Sequence, residues 1–125
     1  MKNAVKGRDI IERTFELAVR IVKLAGSLTQ RSRVGEKLAS QIIRSGTSIG
    51  ANVEEAQAAE SRADFIHKYR ISLKEARETI YWLKLIAAAN LLPEKSIASL
   101  RTEADEISRV IAKIIINSKK KQVSL

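Results

Sequence analysis

The sequence predicts an all-α chain: an antiparallel up-down-up-down four-helix bundle that assembles as an oligomer. Three observations lead there. Apolar residues recur at alternating steps of three and four along most of the chain, the signature of one helical face. The 125 residues include five Gly and one Pro, so turn chemistry is confined to a few points. No segment alternates apolar and polar residues at the strand period, and the length suits a single domain.

The first helix is expected over 9–28, with Asp9 as its N-cap. Ile11, Phe15, Ala18, Val22 and Ala25 form one stripe, and Ile10, Leu17, Ile21, Leu24 and Leu28 form a second beside it. At 100° per residue the two cover about half the circumference, wider than one core contact requires. The opposite face, with Asp9, Glu12, Arg13, Glu16, Arg20 and Lys23, reads as solvated. After the basic connection TQRSRVG, a second helix is expected over 35–59, its stripe running through Leu38, Ile42, Ser45, Ile49, Val53 and Ala56. Gly46 and Gly50 lie four apart on one face, which lets another backbone come close. GTSIG is not a phosphate loop, since it lacks the Gly-Lys-Ser/Thr ending and a preceding strand.

Ser61 and Asp64 resemble a capping box that starts a third helix over 62–89 and makes a tight hairpin with the second. Ile66, Tyr69, Leu73, Ala76, Ile80, Leu83 and Ala87 give it an unbroken seven-residue repeat. Asn90 can close that helix, and Pro93 can open a fourth over 94–117 through Ile97, Leu100, Ala104, Ile107, Ile111 and Ile114. Residues 118–125, SKKKQVSL, read as a frayed basic tail.

The second helix also carries a polar line. With the hairpin turning at Glu60 and Ser61, Arg44 falls level with Glu78, and Ser48 beside Lys74 and Glu75. Glu75 and Glu78 share a face with Ile71, Trp82, Leu85 and Ile86. Removing the mate of a buried charge costs about 3–5 kcal/mol, so these carboxylates need a partner, and Arg44 is the nearest. Arg44, Ser48, Asn52, Glu55, Glu75, Glu78 and Trp82 are therefore expected to form a polar network that fixes helix register or a subunit interface. No nucleophile–base pair accompanies them, which argues against an enzyme. A di-metal carboxylate bundle needs Glu-x-x-His on two helices, whereas the single His67 follows Asp64 as one Asp-x-x-His. No metal and no cofactor are expected.

Without Cys the chain has no disulfide, thiolate zinc site or Cys nucleophile. The charged N-terminal segment is no secretory signal and no apolar run suits a membrane span, so a cytoplasmic protein is expected. A formal charge of +9 makes an anionic partner plausible. The candidate phosphate-binding residues are Arg31, Arg33 and Lys37 between the first two helices and Lys119, Lys120 and Lys121 in the tail. Two Phe, two Tyr and one Trp give little support to aromatic stacking of bases, and Tyr81 and Trp82 read as packing or interface residues.

The run RSGTSIGANVEEAQAAESRADFIHKYRISLKEARETIYWLKLI resembles the four-helix-bundle proteins encoded in intervening sequences of bacterial 23S rRNA genes. The residues that carry the resemblance are Arg44, Ser48, Ile49, Asn52 and Glu55 on the second helix. On the third they are Ser61, Asp64, Phe65, Glu75, Ala76, Glu78, Thr79, Trp82 and Leu83. The resemblance implies a homopentameric all-α bundle of unknown biochemical activity. That family is similar in fold to the accessory protein of diversity-generating retroelements, a basic pentameric bundle that binds nucleic acid and a reverse transcriptase. Fold alone does not carry activity across, and this chain lacks close local similarity to the accessory protein. The expectation is a non-enzymatic homo-oligomer that binds RNA or DNA through basic surface; the alternative is an adaptor whose apolar faces bind another protein.

Overall fold

Four helices make up the chain, α1 (Lys6–Arg31), α2 (Arg33–Gln57), α3 (Arg62–Ala88) and α4 (Glu94–Val123), in a computed structural model that describes residues 6–123. No strand occurs among the described residues. α1 already includes Lys6, so Asp9 lies within the helix instead of capping it. The helix also continues three residues beyond Leu28, because TQR contains no breaker and the Thr29 hydroxyl donates to the Ala25 carbonyl at 3.0 Å. Only Ser32 separates α1 from α2. Its backbone is extended, and its Oγ accepts the Gly35 N–H at 2.9 Å, which satisfies one of the donors that a helix start leaves open.

Ser61 caps α3 by accepting from the Asp64 N–H at 3.0 Å, while the Asp64 carboxylate accepts from the Glu60 N–H at 3.4 Å. Asn90 takes a left-handed φ of 58°, and the Leu91 N–H returns to the Ile86 carbonyl at 3.1 Å, closing α3 as a Schellman turn does. At the other end of the chain the expected frayed tail is instead helical as far as Val123, and Ser118 is buried. Nothing in SKKKQV stops a helix, and lysines in a last turn interact favourably with the negative end of the helix dipole. The buried seam of α4 passes through Ile115, one position after the expected Ile114, and continues to Ser118.

Each helix packs on its neighbour in the chain, α4 also meets α1, and among the described residues the backbones of the diagonal pairs stay more than 8 Å apart. Along α2 the nearest parts of α1 run backwards, from Leu28 at Gly35 to Ile21 at Gly46 and Thr14 at Gly50. The core is filled by Leu17, Ile21 and Leu28 of α1, Ile42, Ile49 and Val53 of α2, Leu83 and Ile86 of α3, and Ile97, Ile107 and Ile111 of α4. Glycine brings α1 and α2 together: a Cβ at Gly46 would lie 2.7 Å from the Ile21 side chain and one at Gly50 would lie 3.2 Å from the Thr14 carbonyl oxygen.

The charged face of α1 is exposed at Glu12, Glu16, Arg20 and Lys23, as expected, yet it also reaches α4. Arg13 grips Glu103 of α4 with two hydrogen bonds, at 3.0 and 2.7 Å, and reaches Glu106 at 3.1 Å. Arg20 donates to the Ser99 hydroxyl at 2.9 Å. This polar seam joins the first helix to the last. No helix among the described residues is long and apolar enough to cross a membrane.

Candidate functional site

Arg44 of α2 reaches across to α3, donating to Glu75 at 3.3 Å and to Glu78, and the Trp82 indole N–H donates to the same Glu78 oxygen at 3.0 Å. This is the level that the hairpin register assigns to Arg44. The guanidinium is 50% exposed, however, while Glu75 is only 14% exposed, so the pair sits at the surface of the α2–α3 groove rather than within it. The rest of the polar line does not join this cluster. Ser48 donates to the Arg44 carbonyl at 2.6 Å and Asn52 to the Ser48 carbonyl at 2.8 Å, both within their own helix. Glu55 pairs separately with Lys68 at 2.8 Å, and that pairing raises the Lys68 pKa, first through the hydrogen bond and then through the nearby negative charge.

The buried polar links between α2 and α3 come from smaller side chains absent from the expected network. Thr79 donates to the Ser45 hydroxyl at 2.9 Å, and Ser72 donates to the Ile49 carbonyl at 2.8 Å. Ser45, Ser72 and Thr79 are fully buried. Ser72 and Thr79 are seven residues apart on the buried, otherwise largely apolar face of α3, a signal visible in the sequence. Near the hairpin, Gln57 donates to the Tyr69 hydroxyl at 3.2 Å; burial raises the Tyr69 pKa and this hydrogen bond partly opposes the rise.

The two expected basic groups lie apart. Arg31 lines a cleft of ≈ 400 Å³ with Arg20, Lys23, Ser27, Leu24, Leu92, Pro93, Ser96 and Leu100, and no carboxylate borders it. Arg33 and Lys37 are exposed on the first turns of α2, just beyond that end. Lys119, Lys120 and Lys121 are exposed on the last turns of α4, more than twenty residues along that helix from Ser96, or about 35 Å. The outer face of α3 carries a third group that charge clustering in sequence does not reveal. Arg70, Arg77 and Lys84 recur every seven residues beside Lys74, and all four are exposed.

An apolar surface lies on the first two helices. On α1, Phe15 is 66% and Val22 is 50% exposed, with Val19 beside them and Ile43 of α2 also exposed. Phe15, Ala18, Val19 and Val22 line a shallow depression with Lys23 at its edge. Half of the broad apolar face of α1 is thus uncovered in the single chain. Among the described residues, no group of three or more His, Cys, Asp and Glu side chains is placed to hold a metal ion, and His67 is exposed.

Comparison with known proteins places these features in a family. A crystal structure of a protein of unknown function from the S23 ribosomal protein family, from Bacteroides thetaiotaomicron, superposes with a TM-score of 0.79. It shares 44% sequence identity, over 85% of this chain and 97% of that one. No curated protein is similar to this chain. The family profile described as 23S rRNA-intervening sequence protein matches residues 6–113, which take in the α2–α3 cluster, the glycine contacts and most of α4. The chain belongs to the 23S rRNA-intervening sequence protein family.

Proposed function

We propose that this chain is a non-enzymatic, antiparallel up-down-up-down bundle that forms a closed homo-oligomer, a pentamer by family resemblance, and binds RNA through repeated basic surfaces. The observation that carries RNA binding is the cleft at one end of the bundle. Arg20, Lys23 and Arg31 converge there around leucine side chains with no carboxylate in the lining, and Arg33 and Lys37 extend the same charge. Like charges gathered without counter-charges raise the local potential, which favours a polyanion. Their repetition in an oligomer turns individually weak phosphate contacts into multivalent ones. The α2–α3 polar cluster has a structural part in this reading, because its charges are satisfied by one another.

Oligomerisation is supported by Phe15, Val19, Val22 and Ile43, an exposed apolar group of the kind that marks an interaction surface. The experiment is binding of the intact protein to labelled RNA at about 50 mM salt, where phosphate contacts are strongest. It is run beside Arg31, Arg33 and Lys37→Gln and beside Lys119, Lys120 and Lys121→Gln. The three lysines are substituted, not removed, because they belong to α4. Lower affinity for unrelated sequences alike is the expected result. Intact protein that binds no RNA would favour the adaptor reading, in which the apolar surface of α1 and α2 receives another protein.

A further inference from the structure

In the middle of α3, Arg70, Arg77 and Lys84 lie on a different side of the helix from Glu75 and Glu78, with Lys74 between the two sides. Glu75 and Glu78 face α2, where Arg44 holds them. Arg70, Arg77 and Lys84 form a row of i, i+7 positions, and His67, Lys74 and Tyr81 form a second row next to it, since seven residues bring a helix back within about 20° of the same direction. The first row spans about 21 Å, at 1.5 Å per residue. None of Arg70, Lys74, Arg77 or Lys84 makes an ion pair or side-chain hydrogen bond. On α4, beside Ile80, Glu94 is already paired with Arg101 and Asp105 with Arg109.

Within these cations Tyr81 stands 57% exposed. Its ring meets Trp82 edge-on, with centroids 5.2 Å apart and planes at 70°. Trp82 is pinned through its indole N–H to Glu78, and Glu78 is held by Arg44. The exposed tyrosine therefore rests on a braced support. Exposed cations of this kind are costly to bury against an apolar surface and are better matched by a polyanion.

We propose that the outer face of α3 is a track for single-stranded nucleic acid, with Arg70, Lys74, Arg77 and Lys84 on successive phosphates and Tyr81 stacking on an unpaired base. Charge complementarity selects the polyanion, and the aromatic ring selects the single strand, whose bases are free to stack. The inference rests on the nucleic-acid reading above and assigns it a surface other than the ends of the bundle.

The test measures affinity of the full chain for a labelled single-stranded oligoribonucleotide and for an RNA hairpin duplex, across a salt series. It compares wild type with Arg70, Lys74, Arg77 and Lys84→Gln together, with Tyr81→Ala and Tyr81→Phe, and with Arg31, Arg33 and Lys37→Gln; circular dichroism checks that each is folded. The four-fold variant should flatten the salt slope by about 0.7 for each phosphate that is no longer neutralised. Tyr81→Ala should weaken single-strand binding roughly five- to hundredfold and Tyr81→Phe much less, with little change for the duplex. Wild type that binds, together with a folded four-fold variant of unchanged affinity and slope, overturns the α3 track alone. Equal weakening on single strand and duplex after Tyr81→Ala overturns the stacking assignment. Wild type that binds neither RNA overturns the nucleic-acid reading itself.

Discussion

Replacing Gly35 by Ala puts a methyl group where the α1–α2 connection leaves no room. Its Cβ would lie 2.2 Å from the Leu28 carbonyl oxygen, 3.1 Å from the Leu28 carbonyl carbon and 3.2 Å from the Ser32 hydroxyl. The obstacle is mainly backbone, so no rotamer change relieves it. Ala gains about 1 kcal/mol of helix propensity over Gly. Against that gain stand an overpacking cost of about 1–3 kcal/mol and the threatened Ser32 cap, worth about 1 kcal/mol. The expected net loss is about 1–3 kcal/mol. Gly26 provides the control, because a Cβ there meets nothing within 4 Å. Gly26→Ala should stabilise by about 0.5–1 kcal/mol. Thermal unfolding of both variants, at one protein concentration so that subunit association is held constant, should displace the midpoint in opposite directions. At this size 1 kcal/mol corresponds to about 3–5 °C. Gly35→Ala as stable as Gly26→Ala would refute the close approach at the connection.

Arg44→Ala should cost about 1–2 kcal/mol, less than a buried ion pair would, because the guanidinium is half exposed; thermal melts should show the difference shrinking as salt is added. Thr79→Val removes a buried donor between α2 and α3 and should cost about 1–2 kcal/mol by urea unfolding, with no corresponding salt dependence. Tyr69 has a raised pKa in the fold, so the stability linked to its neutral phenol is intact below its ordinary value of 10.0 and is lost as pH rises through the higher folded value; Tyr69→Phe should flatten that alkaline loss. Val22→Glu places a charge in the exposed apolar surface of α1 and should lower the native mass by light scattering while helix content is kept, if that surface carries the proposed self-association; an unchanged mass would contradict that role.

Periodicity in the sequence locates all four helices, because each buries a stripe long enough to outweigh local noise. Their ends are less legible. The capping signals at Ser61 and Asn90 can be read because their side-chain or backbone chemistry is specific, whereas the single-residue connection at Ser32 is hidden among polar residues that fit a helix equally well. The helical tail of α4 escapes the sequence because exposed lysines say little about whether a helix continues. In the polar line, the Arg44 level follows from hairpin register alone. Which groups join it does not: Ser48 and Asn52 satisfy themselves within α2, while the buried bonds that cross are made by Ser72 and Thr79. Arg13 illustrates the same limit, since a charge on a mixed face is solvated or paired according to which neighbour the apolar surface chooses.

The affinity of the intact wild-type protein for RNA, measured across salt concentration, tests the central claim most directly. Binding carried by exposed cations releases counterions, so the logarithm of the binding constant should fall linearly with the logarithm of salt. With about six phosphate contacts on a single strand, affinity should drop a hundredfold or more between about 50 and 200 mM. No binding at the lower concentration, or an affinity that stays level across the range, would contradict it.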